Sequence, residues 1–402
     1  MHLLTTATAF ITTTFTCETS VLFMSEDTPL QSSLFEPFDL PLGNQRLLNT
    51  PHPYDTVIPL ALRLSPHSIA KTSLDVILEN IQTLQQEDNT LTKKLSRHGA
   101  LLFRGLPLFN AEDFSKFAHA FGYKSHEVIG SIANRPLLAP NVSLANEAPK
   151  EVLIYNHNEL PRVPHSPGYI FFYCYKAAKK GGQHSISSSL ELFHRVKQEI
   201  PEFINELAKK GILSTVTYKF DKQFEGGTTL RQAFGKDIED DDDEATRRTK
   251  IEAQIARYGR GKSTTWEWID DGLVVKHRIP VIRTQPGTKI PTLFTGLAAY
   301  YKAAQDSTDA RRNVSQLFGD GTPIPEKYLA HLARITDEIR LLHKWQEGDV
   351  LIFDNVIAQH GREPWEGEQS DRIVLASLFD GDAVAGAYGP EDWAQIVHII
   401  DE

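Results

Sequence analysis

The run GYIFFYCYKA, residues 168–177, restricts this chain more than any other stretch. Aromatic and apolar side chains follow one another with almost no polar break, which is the pattern of a strand forming the wall of a β-structure. From residue 150 onward the strand signals continue. LSTVTYKF (213–220), GDVLIFDN (348–355) and DRIVLASLFD (371–380) each read as strands, and TTWEWIDDGLVVKHRIPVIRT (264–284) reads as a hairpin turning at Asp271-Gly272. Helical patterns fall at one end and in insertions. Residues 68–99 are predicted as one helix stopped by Gly99, and 110–122 as a helix capped by Asn110 with Phe114, Phe117, Ala118 and Phe121 on its core stripe. Further helices are expected over 189–200, 201–210 and 325–343. Strands spread over so long a span, with helices around them, predict one mainly β domain with flanking helices (α+β).

The remaining segments carry less. Residues 25–65, rich in Pro and Leu, read as an irregular arm over the surface, and the strand ALLFRG (100–105) follows the first helix. Residues 1–24 lack a basic start and a cleavage site, and threonines interrupt any span of a membrane. They are either a disordered extension or a start-site artefact, because Met24 opens a normal polar sequence. The acidic block in KDIEDDDDEATRRTK, near 236–262, is a solvated loop or helix start; contiguous acids without a calcium-loop glycine argue against a cation site. A formal net charge of −10 offers nothing to nucleic acid or to an anionic membrane. Two cysteines, Cys17 and Cys174, exclude a disulfide framework and suit a reducing compartment, the cytoplasm; Cys174 reads as a core thiol.

Chemistry enters just ahead of the aromatic run, in YNHNELPRVPHSPG. Residues i and i+2 of a strand share a face, so His157 and Glu159 project together while Asn158 turns away. They are either solvated polar residues at a strand end or two ligands of a divalent metal. With a second histidine from a remote strand they would make the facial set of two His and one carboxylate that suits non-haem Fe(II). WQEGDVLIFDNVIAQHGREPWEGEQSDRIVLAS (345–377) offers that partner in His360, and twelve residues later Arg372. Arg372 is either a surface residue paired with Asp371 or Glu368, or a buried guanidinium waiting for a carboxylate such as that of a bound dicarboxylate.

In these ordered segments, over roughly residues 100–380, the chain resembles the taurine dioxygenase/clavaminate synthase-like family of Fe(II)- and 2-oxoglutarate-dependent oxygenases. The resemblance implies a double-stranded β-helix (jelly roll) core in a single domain, residues 25–402. It implies His157, Glu159 and His360 as iron ligands and Arg372 as the holder of the distal carboxylate of 2-oxoglutarate. O2 is the second cosubstrate, with succinate and CO2 as products. Where the family usually places a threonine that also touches 2-oxoglutarate, GGQHS has His184. It takes over that hydrogen bond, or the contact is lost and His184 merely occupies a strand start; protonated, it would add positive charge for the dicarboxylate. Arg135 and Asn146 lie in the loop region that often shapes the substrate pocket in this family, and are either substrate-binding residues or ordinary polar residues of a loop. His165, after Pro164 in a loop, is expected to line the entrance rather than to bind the metal. The implied substrate is a small polar molecule, such as an amino acid or an intermediate of specialised metabolism, that is hydroxylated, desaturated or oxidatively cyclised. A protein-modifying oxygenase, a non-catalytic jelly-roll binding protein and a zinc hydrolase are the competing readings, the last leaving Arg372 without a task.

Overall fold

A computed structural model of the chain describes residue 30 and residues 34–66, 72–130, 136–145, 148–220, 228–259, 263–286, 288–305 and 314–380. The N-terminal 24 residues, Arg135 and Asn146 lie outside these.

Two sheets carry the centre. The larger joins nine described strands, in the path Phe35–Pro37, Leu60–Leu64, Ala100–Arg104, Val350–Asp354, Tyr169–Lys176, Ile373–Asp380, Val142–Leu144 and Leu137–Ala139, with Lys124–Ser125 paired to the end of Ile373–Asp380. The smaller runs Leu341–His343, His184–Ser188, Ala358–Arg362 and Ile154–His157.

The aromatic run sits between two long-range antiparallel partners, Val350–Asp354 and Ile373–Asp380. Both of its faces are buried, which is why it has no polar alternation. Ile170, Phe172 and Cys174 pack into a core shared with Ile186, Leu341 and Ala358 of the smaller sheet. Phe171 and Tyr173 belong instead to the core under the helices, with Phe103, Phe114, Phe117 and Phe379. The flanking strands divide in the same way, Phe353 and Ala376 to the first core and Ile352 and Leu375 to the second. A third core packs the helices Ser189–Glu199, Pro201–Lys210 and Glu326–Ile339 around Tyr155 of the smaller sheet.

Several boundaries differ from the expectation. The helix predicted over 68–99 is two helices, Leu74–Asp88 and Thr90–His98, because Asn89 adopts φ 50° and ψ 35°, a left-handed conformation asparagine tolerates. The arm over 25–65 contributes to the larger sheet: Leu60–Leu64 pairs in parallel with Ala100–Arg104, and Phe35–Pro37 pairs beside it. The helix predicted over 325–343 ends at Ile339, and Leu341–His343 is the edge strand of the smaller sheet.

The hairpin turns at Asp270-Asp271, with Gly272 already paired to Ile269. Glycine is needed there for closeness rather than for the turn. A Cβ at 272 would lie 2.0 Å from the Tyr218 carbonyl oxygen of the neighbouring strand Ile212–Lys219. That strand, the hairpin and Val314–Phe318 make a separate four-stranded sheet. The acidic block caps the helix Glu244–Tyr258 that covers this sheet: Asp243 accepts from Thr246 N at 2.7 Å, and Asp242 pairs with Lys250 at 2.7 Å. Among the described residues no helix is long and apolar enough to cross a membrane.

Phe171 is fully buried, whereas Tyr175 on the same strand is 48% exposed. Phe171→Ala should lower unfolding free energy by about 3–5 kcal/mol, and Tyr175→Ala by no more than about 0.5 kcal/mol, as read from urea unfolding followed by circular dichroism. Equal losses would mean that the two-faced burial of this strand is wrong.

Candidate metal and cosubstrate centre

The centre begins with a register. Strand Ile154–His157 pairs with Ala358–Arg362 so that His157 and His360 are direct partners, with ring centroids 4.6 Å apart. His360 pairs on its other side with Ile186, and Arg362 with His184.

Glu159 joins them by a different route from the one strand alternation predicts. The strand ends at His157, and Glu159 lies in the connection beyond it. There the side chain of Asn355 holds the backbone on both sides: Glu159 N donates to Asn355 Oδ1 at 2.6 Å, and Asn355 Nδ2 donates to the carbonyls of Glu159 at 3.1 Å and Pro167 at 2.8 Å. Asn158 does turn away, into a buried network. Its amide donates to the carbonyls of Asn355 and Ala358 and to Ser189 Oγ, and its oxygen accepts from Thr295 N and Gln359 Nε2. The carboxylate is thereby placed with Oε2 3.2 Å from His360 Nε2 and 3.8 Å from His157 Nε2.

Protonation follows from the partners. His157 Nδ1 lies 2.8 Å from the Tyr155 carbonyl oxygen, which can only accept, so Nδ1 carries a hydrogen and Nε2 is the nitrogen that faces Glu159. Burial by itself would raise the Glu159 carboxyl, but hydrogen bonds and charge from His157 and His360 outweigh it and hold it well below the usual carboxylate range. One ligand atom each from His157, Glu159 and His360 lies within 4.8 Å of the others. Two imidazole nitrogens and an ionised carboxylate oxygen, brought this close, are donors of the kind that could hold a metal ion and that suit non-haem Fe(II). Phe172 and Phe353 back the His360 ring, with centroids 5.1 and 5.6 Å away.

Arg372 stands just before strand Ile373–Asp380. Asp371 is occupied with Lys176 at 3.0 Å, and Glu368 uses its backbone to pair with Asp371. No described carboxylate makes an ion pair with Arg372, so the surface-pair alternative does not hold. Its Nε donates to the Gly182 carbonyl at 2.9 Å, and its guanidinium lies over the Trp365 ring at 5.7 Å. Gly182, at φ +67°, leaves room for this: a Cβ there would lie 2.9 Å from Arg372 Cδ. Burial lowers the Arg372 pKa to about 10, the shift of a cation whose lost hydration is not replaced.

His184 is buried beside His360, the rings stacked at 5.8 Å and 13°. Phe172, Trp345 and Phe353 surround it, and neither ring nitrogen has a hydrogen-bond partner among the described residues. Burial first, then the charges of His360 and Arg372, hold its pKa well below the ordinary histidine value. The extra positive charge considered for it is therefore absent; the ring is a neutral imidazole. His165 does not join the triad and stacks instead on His126. Asn355, Asn158 and Trp365 are the site residues the sequence reading missed. Only the polar pair Asp354-Asn355 ending an apolar strand offered a signal for the first of them.

Residues 61–377 match the family described as "Taurine catabolism dioxygenase TauD, TfdA family". A clavaminate synthase-like protein of Arabidopsis thaliana is 30% identical over 300 residues, covering 74% of this chain and 86% of its own length. The dapdiamide synthesis protein DdaC of Enterobacter agglomerans is 26% identical over 70% of this chain and 83% of its own. The crystal structure of PvcB from Pseudomonas aeruginosa aligns over 89% of this chain and 95% of its own, with 16% identity and a TM-score of 0.45. The chain belongs to the TauD/TfdA dioxygenase family. It is a non-haem Fe(II)- and 2-oxoglutarate-dependent dioxygenase.

Asn355→Ala removes the clamp on Glu159 without touching a ligand. Fe(II) affinity measured anaerobically by calorimetry should fall by about 10- to 100-fold, while the circular dichroism spectrum is retained. Unchanged affinity would show that Glu159 is aimed by something other than Asn355.

Proposed function

We propose that His157, Glu159 and His360 hold the iron, that Arg372 receives the distal carboxylate of 2-oxoglutarate, and that the two central sheets are a double-stranded β-helix. The observation that carries this is the guanidinium of Arg372, anchored at one nitrogen and without a carboxylate partner among the described residues, on a chain that also gathers two histidines and a glutamate, with His184 feeling the charge of both Arg372 and His360. The shared core between the sheets, closed by residues of both, supports the jelly-roll reading.

When bound, Fe(II) and 2-oxoglutarate supply the oxidation of a substrate C–H bond by O2, with release of succinate and CO2. The residues of the chain prepare for that. The Tyr155 carbonyl keeps the proton on His157 Nδ1, leaving Nε2 for the metal. Asn355 and the two histidines hold Glu159 ionised and in place. The Trp365 ring and the Gly182 carbonyl hold the Arg372 side chain. We assign His184, neutral and with both nitrogens free of partners, to the hydrogen bond that the family's threonine makes to 2-oxoglutarate.

The substrate in this reading is a small polar molecule of the amino-acid class or an intermediate of specialised metabolism. The printed names of the dapdiamide and clavaminate synthase-like relatives support it. Hydroxylation, desaturation or ring closure then depends on which hydrogen the bound substrate presents. The buried free thiol of Cys174, pushed up to about 12 first by burial, suits the reducing cytoplasm in which we place the protein.

Anaerobic addition of Fe(II) and then 2-oxoglutarate should produce a visible metal-to-ligand charge-transfer band; no band would refute the assignment. His157→Ala and Glu159→Ala should abolish substrate-dependent succinate release. Arg372→Ala should raise the 2-oxoglutarate concentration needed for half-saturation of the band by about 10- to 100-fold, and an unchanged requirement would remove Arg372 from this role.

A further inference from the structure

The connection that leaves Glu159 carries a second convergence of ligand atoms. His165 lies on it, before strand Tyr169–Lys176, and its ring stacks on that of His126 with centroids 4.3 Å apart and planes at 26°. His126 follows strand Lys124–Ser125 and is tied by its backbone N to the Leu378 carbonyl at 2.9 Å. Asp380 ends strand Ile373–Asp380, in register with Lys124. Its Oδ1 is 2.6 Å from His126 Nδ1. One ligand atom from each of His126, His165 and Asp380 lies within 4.8 Å of the others, the bound that His157, Glu159 and His360 also meet.

Three further observations bear on the use of this cluster. The His126 side chain is fully buried, and its Nε2 has no hydrogen-bond partner among the described residues, an under-satisfied state for an interior imidazole. Burial would raise the Asp380 carboxyl, but the His126 hydrogen bond and the charges of His126 and His165 outweigh it, so the group is held ionised. His165 also lines a small cavity with Val163, Phe234, Tyr258 and His277. Two imidazoles and one carboxylate are the donors of zinc and its first-row neighbours rather than of calcium or magnesium.

We propose that His126, His165 and Asp380 form a second divalent-cation site, of the zinc class, separate from the iron triad and not dependent on the roles assigned there. A cation held there would join three segments: the connection carrying Glu159, the end of strand Ile373–Asp380 and the residues after Lys124–Ser125. The insertion is drawn in as well. The Tyr258 ring, ending helix Glu244–Tyr258, lies 4.9 Å from that of His165, and its hydroxyl donates to Glu127 beside His126. The site would thus hold the Glu159 connection against the larger sheet on one side and the insertion on the other.

The test is metal stoichiometry of the full chain, stripped with chelator and titrated with Co(II), whose visible absorption reports coordination, and with Zn(II) by calorimetry. Wild type should take two equivalents, and the double variant His157→Ala/His360→Ala one. Asp380→Asn and His126→Ala should each lose one equivalent while keeping the Fe(II)/2-oxoglutarate band. If His126→Ala does not fold, His165→Gln, at a partly exposed position, should show the same loss. A single equivalent in wild type, or a second equivalent that survives in both Asp380→Asn and His165→Gln, would overturn the proposal.

Discussion

The pairing of Ile154–His157 with Ala358–Arg362 is the interaction on which the rest of the centre depends. Side chains alternate across a strand, so a slip of one residue would send His360 to the opposite face and bring Gly361 opposite His157. The register is secured on both sides. His184–Ser188 pairs along the whole of Ala358–Arg362, and Asn158 reaches across to the Ala358 carbonyl and the Gln359 amide. The buried polar residues around the triad are thus part of how the sheet finds its alignment. Each bond they make would be lost together in a shifted pairing.

Much of the architecture was legible because burial leaves a periodic trace. The unbroken aromatic run marked a strand covered on both faces, and the Phe114, Phe117, Phe121 stripe marked a helix lying on the larger sheet. His157, Glu159, His360 and Arg372 were legible through resemblance in an ordered set, and the structure brings the first three together. What failed was local and had local causes. Asn89 breaks a helix that periodicity carries straight through, since the pattern of apolar residues does not register one left-handed residue. The strand Leu60–Leu64 hides among prolines, and its partner lies some forty residues on. Gly272 looked like a turn residue, yet it answers to the Tyr218 carbonyl of a different strand.

Asn355 could not be found this way at all. Its partners are the Glu159 backbone and the Pro167 carbonyl, nearly two hundred residues earlier, and no spacing within the chain encodes them. The route by which Glu159 is aimed was for that reason misread as simple alternation. The outcome matched while the mechanism differed, because a carboxylate past the end of a strand needs a brace that a carboxylate within it does not. His184 shows the converse. A histidine expected beside a dicarboxylate invites a charged reading, but burial among aromatic walls and the nearby Arg372 charge favour the neutral ring.

The indole of Trp365 has a wider meaning. Arg362 and Arg372 both lie over it, at 4.8 and 5.7 Å, and Arg362 spends its terminal nitrogens on the carbonyls of Ala148, Pro149 and Val152. One of the pair is a structural peg and the other is left with hydrogen-bonding capacity to spare, though both rest on the same ring. A long, flexible side chain ordinarily loses rotamer freedom when it grips a ligand, and that loss subtracts from affinity. Here the loss has already occurred during folding. If Arg372 takes the role proposed for it, an incoming dianion meets a rigid fork instead of a searching arm, and the selectivity such a fork exerts is for the length of the molecule that bridges from metal to fork.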